Sequence, residues 1–353
     1  MLTNTTQNLL SPAQLDELAR ELDNIKQDTL AKVGHKDAVY IRGIEKFSRY
    51  CAISGRALLM FGWFIPLWVI GTLLLAIAKI IENMELGHNV MHGQYNFMQD
   101  PRFRGSSYEW DIVGSADNWR KTHNYSHHTY TNVAGKDHDI GYSVLRLFKY
   151  QRWHIAQLFQ PLYAIVFALL FQWGVAVQDM RLGRLLVKRI TPKGLLEEQK
   201  HAFKKMGRQV FKDYVFFPAL AGPFFLPVLL GNMAANTLRN LWTYLIIFCG
   251  HFTKDVYVFD KSVLENESRG HWYFRQILGS SNIKGRQWFH ILSGNLSFQI
   301  EHHLFPDMPA YRYKEVAPKV EMICKRYGIP YNTGRLSKQF GQVMWRIGRY
   351  SLP

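Results

Sequence analysis

Three short stretches of the chain concentrate histidine. ENMELGHNVMHGQ carries His88 and His92, RKTHNYSHHTYTN carries His123, His127 and His128, and GNLSFQIEHHLFPDMP sets Gln299 ahead of the adjacent His302 and His303. Neutral imidazole is a ligand for iron, copper, nickel and zinc. His88 and His92 are four residues apart, so on a helix their side chains share a face, with Cβ atoms roughly 5–6 Å apart. A lone histidine reads as a satisfied polar residue. Three clusters that each adjoin an apolar segment, together holding seven of the fourteen histidines, read as one metal site. Seven ligands exceed the three protein ligands of a catalytic zinc and suit two metals. The three cysteines, Cys51, Cys249 and Cys324, form no CxxC pair and no disulfide framework, as expected in a reducing compartment.

The elements that position these residues must be built from 353 residues, 48% hydrophobic and 14% aromatic, enough for a large apolar interior. With 20% charged residues and a mean hydropathy of −0.16, the chain is too polar to lie wholly in lipid. A membrane-embedded part with a polar cap fits both figures. The net charge of +16 suits an anionic membrane surface. No basic run interleaved with aromatics forms a nucleic-acid module, so no nucleic-acid partner is expected. The polar amino terminus is not expected to act as a signal peptide. Ser11, Pro12 and Gln14 form a helix start with a capping box, and Leu15, Leu18, Leu22 and Ile25 recur at helical spacing as a face for the domain or the membrane surface.

About 20 mostly apolar residues cross a bilayer core. The candidates are 47–64, 65–84, 155–177, 214–231 and 233–252, with Pro66 near one turn and Gly231-Asn232 at another. The loop after 177 holds Arg181, Arg184, Lys188, Arg189, Lys193 and further lysines against few acids, so it stays cytoplasmic. Segment 155–177, interrupted by Gln157, Gln160 and Gln172, is then interfacial. The expected fold is an all-α integral membrane protein of two transmembrane hairpins (four spans), with a helical cytoplasmic cap holding the metal site. An N-terminal amphipathic region covers 1–46, the membrane domain 47–325 and a basic C-terminal tail 326–353. Both termini and every histidine cluster fall on the cytoplasmic side.

The boxes HxxxH at 88–92, HxxxHH at 123–128 and QxxHH at 299–303 resemble those of the integral-membrane fatty acid desaturases, over about 47–325. The glutamine opening the third box resembles the front-end, linoleoyl-CoA-type branch. The resemblance implies a non-haem di-iron centre, two Fe ions cycling between Fe2+ and Fe3+, with dioxygen as co-substrate and a long-chain fatty acyl group, as acyl-CoA or acyl-lipid, as substrate. It adds His251, at the cytoplasmic end of the last membrane helix, as a ligand. Gln299 either binds iron through its carbonyl oxygen or supports a ligand. His35, His138, His154, His201, His271 and His290 match no box, and Cys249 is expected to be an inert thiol.

Glu85, Asp137 and Asp139 are candidates to receive the outer N–H of ligating imidazoles. Trp119, Arg120 and Lys121 form either a channel mouth or an interfacial anchor, and Tyr95, Phe97, Trp110, Trp119, Trp288 and Phe289 either line an acyl tunnel or pack the core. Removing hydrogen from an unactivated methylene pair exceeds any side-chain acid or base, so the cofactor must do it. The two electrons each turnover needs are expected from a separate donor, since no HPGG haem motif occurs: a ferredoxin, a flavin reductase or cytochrome b5, docking on the basic face. The alternatives are an acyl-chain or alkane hydroxylase on the same scaffold and a membrane metal carrier. Against the carrier, the histidines sit at segment ends rather than mid-span.

Overall fold

The computed structural model describes residues 10–186 and 188–353. Helix α1 (Pro12–Leu30) starts as its sequence predicts: Ser11 Oγ accepts from the Gln14 N–H at 3.3 Å while Gln14 Oε1 accepts from the Ser11 N–H at 2.8 Å. Its leucine face is buried against the cap, so that face packs on the domain. Helix α2 (His35–Leu59) turns over residues 60–64 into α3 (Ile65–Met91), and the two pack along their length as a hairpin. The next helix, α4 (116–130), precedes α5 (Gln160–Leu169) and α6 (Phe171–Asp179), which meet at a 93° bend.

A continuous helix, α7 (200–220), then leads through Gly222 to α8 (Phe225–His251), which packs on α3. The cap is completed by α9 (Arg269–Leu278), α10 (Gln299–Leu304), α11 (Tyr313–Arg326) and α12 (Leu336–Ser351). Strands β1 (Asn282–Lys284) and β2 (Thr333–Arg335) form a short parallel pair. The described residues are therefore all-α apart from this pair and one isolated bridge between Val133 and Phe259. By length and composition α3 can cross a membrane, and the bent α5–α6 pair passes the same test as one broken unit.

Two expectations need correcting. Gly231 and Asn232 do not make a turn but lie inside the continuous helix α8. A Cβ on Gly231 would stand 2.6 Å from a Leu59 methyl, so glycine here permits close helix packing, and Asn232 donates to the Val228 carbonyl at 2.9 Å. The turn is made instead at Gly222, whose φ of +54° suits glycine. Residues 326–353 are not a tail either. Residues 333–335 pair with β1, and Val343 and Ile347 of α12 are fully buried in the core beside α8.

Candidate metal centre

Four helices bring the histidine boxes together. The end of α3 is π-wound over Glu82–His88, and α4 is π-wound over Arg120–His127. Such widened turns gather at functional sites. They present His88 and His92 from one side, and His123, His127 and His128 from the next. Helix α8 ends on His251, and α10 supplies Gln299, His302 and His303.

The side-chain nitrogens form two groups, each within 4.8 Å: His88, His92, His123 and His302 in one, and His127, His251 and His303 in the other. His128 lies between them, its Nε2 3.3 Å from that of His123 and its ring stacked on His303 at 4.6 Å. All eight predicted histidines thus meet, with Gln299 Nε2 3.2 Å from His251 Nε2. His290, by contrast, bonds Ser297 and stacks on Phe298, and His271 bonds Ser268.

The outer nitrogens explain why the inner ones point inward. His127 Nδ1 faces Asp137 at 3.0 Å, His251 Nδ1 donates to the Ile247 carbonyl at 2.8 Å, and His303 Nδ1 donates to Gln276 Oε1 at 3.2 Å. In a neutral ring those bonds put the proton on Nδ1 and leave Nε2 as a lone pair. The Nε2 of His251 nevertheless lies 3.2 Å from that of His127 and 3.0 Å from that of His303. Three facing lone pairs repel unless a cation sits among them. Metal–nitrogen bonds of about 2.0–2.1 Å set neighbouring donors roughly 3 Å apart, as found here. The first group repeats the arrangement: His302 and His88 meet at 3.1 Å through Nε2, and His302 Nδ1 is 3.4 Å from the Tyr313 hydroxyl.

Burial, reinforced by neighbouring imidazoles, holds His123, His128, His302 and His303 well below the ordinary histidine range, in the neutral form a metal requires. Burial opposes charge on His127 as well, but Asp137 outweighs it and raises that residue. Of the acids singled out, Asp137 contacts His127, and Asp139 approaches His123 Nδ1 at 3.5 Å. Glu85 instead accepts from the Tyr40 hydroxyl at 2.8 Å and from Asn295 at 3.0 Å, bracing α3. Sequence reasoning missed Gln276, Thr131 and Tyr313, which hold the outer faces of His303 and His302. Thr131 lies in the second histidine stretch but matches no box position, and Gln276 and Tyr313 lie outside all three stretches.

Beside the first group a cleft of about 610 Å³, part of it open to solvent, runs from His88 and His123 along α8. Of the aromatics named from sequence, Trp110 and Trp119 line it, with Trp119 stacked 4.4 Å over His123. Tyr95, Phe97, Trp288 and Phe289 lie elsewhere, and Arg120 is occupied with the Gly105 and Tyr108 carbonyls.

With this geometry in hand, likeness to known proteins is decisive: the fatty acid desaturase family model matches residues 57–335. The chain belongs to the fatty acid desaturase family. It is 42% identical over 348 residues to an NADPH-dependent stearoyl-CoA 9-desaturase of Mycobacterium tuberculosis, covering 98% of this chain and 82% of that one. It is 28% identical to an sn-1 linoleoyl-lipid 6-desaturase of Synechocystis sp., over 75% of each chain, and 27% identical to an acyl-lipid (8-3)-desaturase of Physcomitrium patens, over 83% of this chain and 61% of the other. This desaturase is an oxidoreductase of lipid metabolism that acts on a fatty acyl chain, and its paired histidine groups are compatible with metal.

Proposed function

We propose that this desaturase converts a methylene pair of a long-chain acyl-CoA to an alkene at a di-iron centre, using dioxygen and two external electrons. The facing Nε2 lone pairs of His127, His251 and His303 carry the reading. His88, His92, His123 and His302, with His128 beside them, would hold one iron; His127, His251 and His303, with Gln299, would hold the other. Bound there, the irons supply the dioxygen activation that no side chain provides. The protein's own share is positional. Asp137, Gln276 and the Ile247 carbonyl fix the imidazole tautomers, and Trp119 packs against three of the rings.

The cleft along α8 would seat the acyl chain so that one methylene pair lies against His88 and His123, with Trp110, Trp119, Phe171, Val175 and Ile247 as its apolar wall. The similarity to a stearoyl-CoA 9-desaturase over nearly the whole chain favours a saturated acyl-CoA over an acyl-lipid, and the 9 position over a front-end position.

The hairpins α2–α3 and, from about residue 214 onward, α7–α8 would cross the membrane, with the α5–α6 pair at its interface and the histidines and both termini in the cytoplasm. Exposed apolar residues such as Ile65, Ile70, Leu162, Ile165, Leu226 and Leu230 on these helices support that depth. Co-expression with a reductase in cells of known lipid content tests the function. New alkene at the 9 position and about two irons per purified chain are expected; hydroxylated product, or zinc in place of iron, would overturn it.

A further inference from the structure

On the cap, away from the acyl cleft, lies a second and more open hollow of about 1060 Å³. Its walls come from the turn at 148–150, the segment 254–258 and the end of α12. Three cations line it, Lys149, Lys254 and Arg346, against one acid, Asp255, and Tyr150, Tyr257 and Tyr350 fill the spaces between them.

Among the described residues none of these three cations takes part in an ion pair. Arg346 donates to the Lys254 and Val256 carbonyls at 2.8 and 3.3 Å. Burial lowers its guanidinium only to about 10, so it remains charged at neutral pH. The basic stretch between α6 and α8 differs, because several of its cations are already neutralised: Arg184 by Glu198, Lys205 by Glu109, and Lys212 by Asp111. Unpaired positive charge is what attracts an anionic partner from a distance.

The hollow is also tied closely to the metal centre. Lys254 follows His251 by three residues. From the rim, Tyr150 meets Phe148 at 6.2 Å between ring centroids, Phe148 meets Phe252 at 6.5 Å, and Phe252 meets His251 at 5.9 Å. A redox group seated at the rim is therefore separated from a ligand of the second nitrogen group by packed side chains and no solvent gap.

We propose that this hollow is the docking site of an acidic one-electron carrier protein of the ferredoxin, iron–sulfur type, and that electrons enter the centre on the His251 side. The proposal rests on the desaturase reading above, whose balance it completes. Dioxygen, two electrons and two protons react with a CH2–CH2 pair to give CH=CH and two waters, so the carrier docks, is oxidised by one electron and leaves twice per turnover.

The test uses the full chain in nanodiscs with stearoyl-CoA and a ferredoxin kept reduced by NADPH and its reductase. Lys149 and Lys254 are exposed and their side chains make no hydrogen bond, so K149Q/K254Q should fold normally. The expected result is a roughly tenfold rise in KM for ferredoxin with a flatter dependence on ionic strength. KM for stearoyl-CoA should be unchanged, and so should the alkene formed in a single turnover when protein reduced with dithionite, then freed of it, is exposed to dioxygen. An unaltered KM and salt dependence for ferredoxin would overturn the docking site, and so would a rise confined to KM for stearoyl-CoA, which would assign the hollow to the substrate's phosphates. Wild-type chain that makes no alkene with either reductant would instead overturn the functional reading and the dock with it.

Discussion

The Nε2 atoms of His127 and His251 face each other at 3.2 Å, while the Nδ1 atoms of both rings are committed outward, to the Asp137 carboxylate and the Ile247 carbonyl. A cation bound between them would resolve that opposition of lone pairs, as would a proton on His127, which Asp137 favours, or the amide N–H of Gln299 that lies 3.2 Å from His251 Nε2. Asp137 is central to it, because it also accepts the backbone N–H groups of Asn132 and Asp139 and so cannot swing away. Asp137→Asn can place an N–H against His127 Nδ1 and reverse the tautomer. A fall of roughly 10–100-fold in iron affinity or activity is expected, read as iron per chain and alkene formed. Full iron loading in this variant would remove Asp137 from the site.

Gln276 accepts from His303 and donates to the His128 carbonyl at 3.0 Å. Gln276→Leu leaves His303 Nδ1 with Thr131 as its remaining outer partner. Iron should drop from about two to about one per chain, with affinity at the second group lowered roughly tenfold or more. Gln276→Glu, which keeps the acceptor, should retain more of the metal than Gln276→Leu. Equal loss in both would mean that the site responds to packing and not to the hydrogen bond.

Gln299 Oε1 is buried without a protein partner while its Nε2 points at His251. The two amide atoms are interchangeable by rotation, which would aim the oxygen at the second group. Gln299→Leu is expected to weaken iron binding there and Gln299→His to preserve it, measured by metal analysis and by the spectrum of the loaded protein. Unchanged iron in Gln299→Leu would restrict Gln299 to packing beside Gly250.

Val175 of α6 lines the cleft opposite Thr243 and Ile247 of α8. Val175→Trp narrows it, and kcat/KM for stearoyl-CoA should fall at least roughly tenfold relative to shorter saturated acyl-CoAs. Competition assays between chain lengths read this directly. An unaltered preference would show that the chain does not pass this wall.

Gly231 meets Leu59 across the α2–α8 contact, and Thr72 of α3 lies at the same point. Gly231→Leu should cost about 1–3 kcal/mol through overpacking, seen as a lower unfolding midpoint in detergent. An unshifted midpoint would mean that the helices part there without penalty.

Much of the site was legible in the residues alone. His88 and His92 share a helical face because four residues make about one turn, and that relation needs no tertiary contact. The same holds for the capping box at Ser11 and for the apolar length of α3. Gly231-Asn232 misled because glycine beside asparagine signals a turn when only local preference is weighed. What decides its role is Leu59, 172 positions earlier in the numbering, which needs the space a side chain would fill. The C-terminal helix was unreadable for a similar reason, since Val343 and Ile347 are core residues only once α8 lies beside them.

The spacing of the residues offered seven clustered histidines and Gln299 for metal, and the family resemblance added His251. Neither determined which would act together. His302 and His303 are adjacent, yet one joins His88 and the other joins His251, because successive helical residues diverge by about 100°. Each finds its partners only where α3, α4 and α8 converge on α10. That partition into two groups is a property of the packed helices, because the segments that meet there are far apart in the chain.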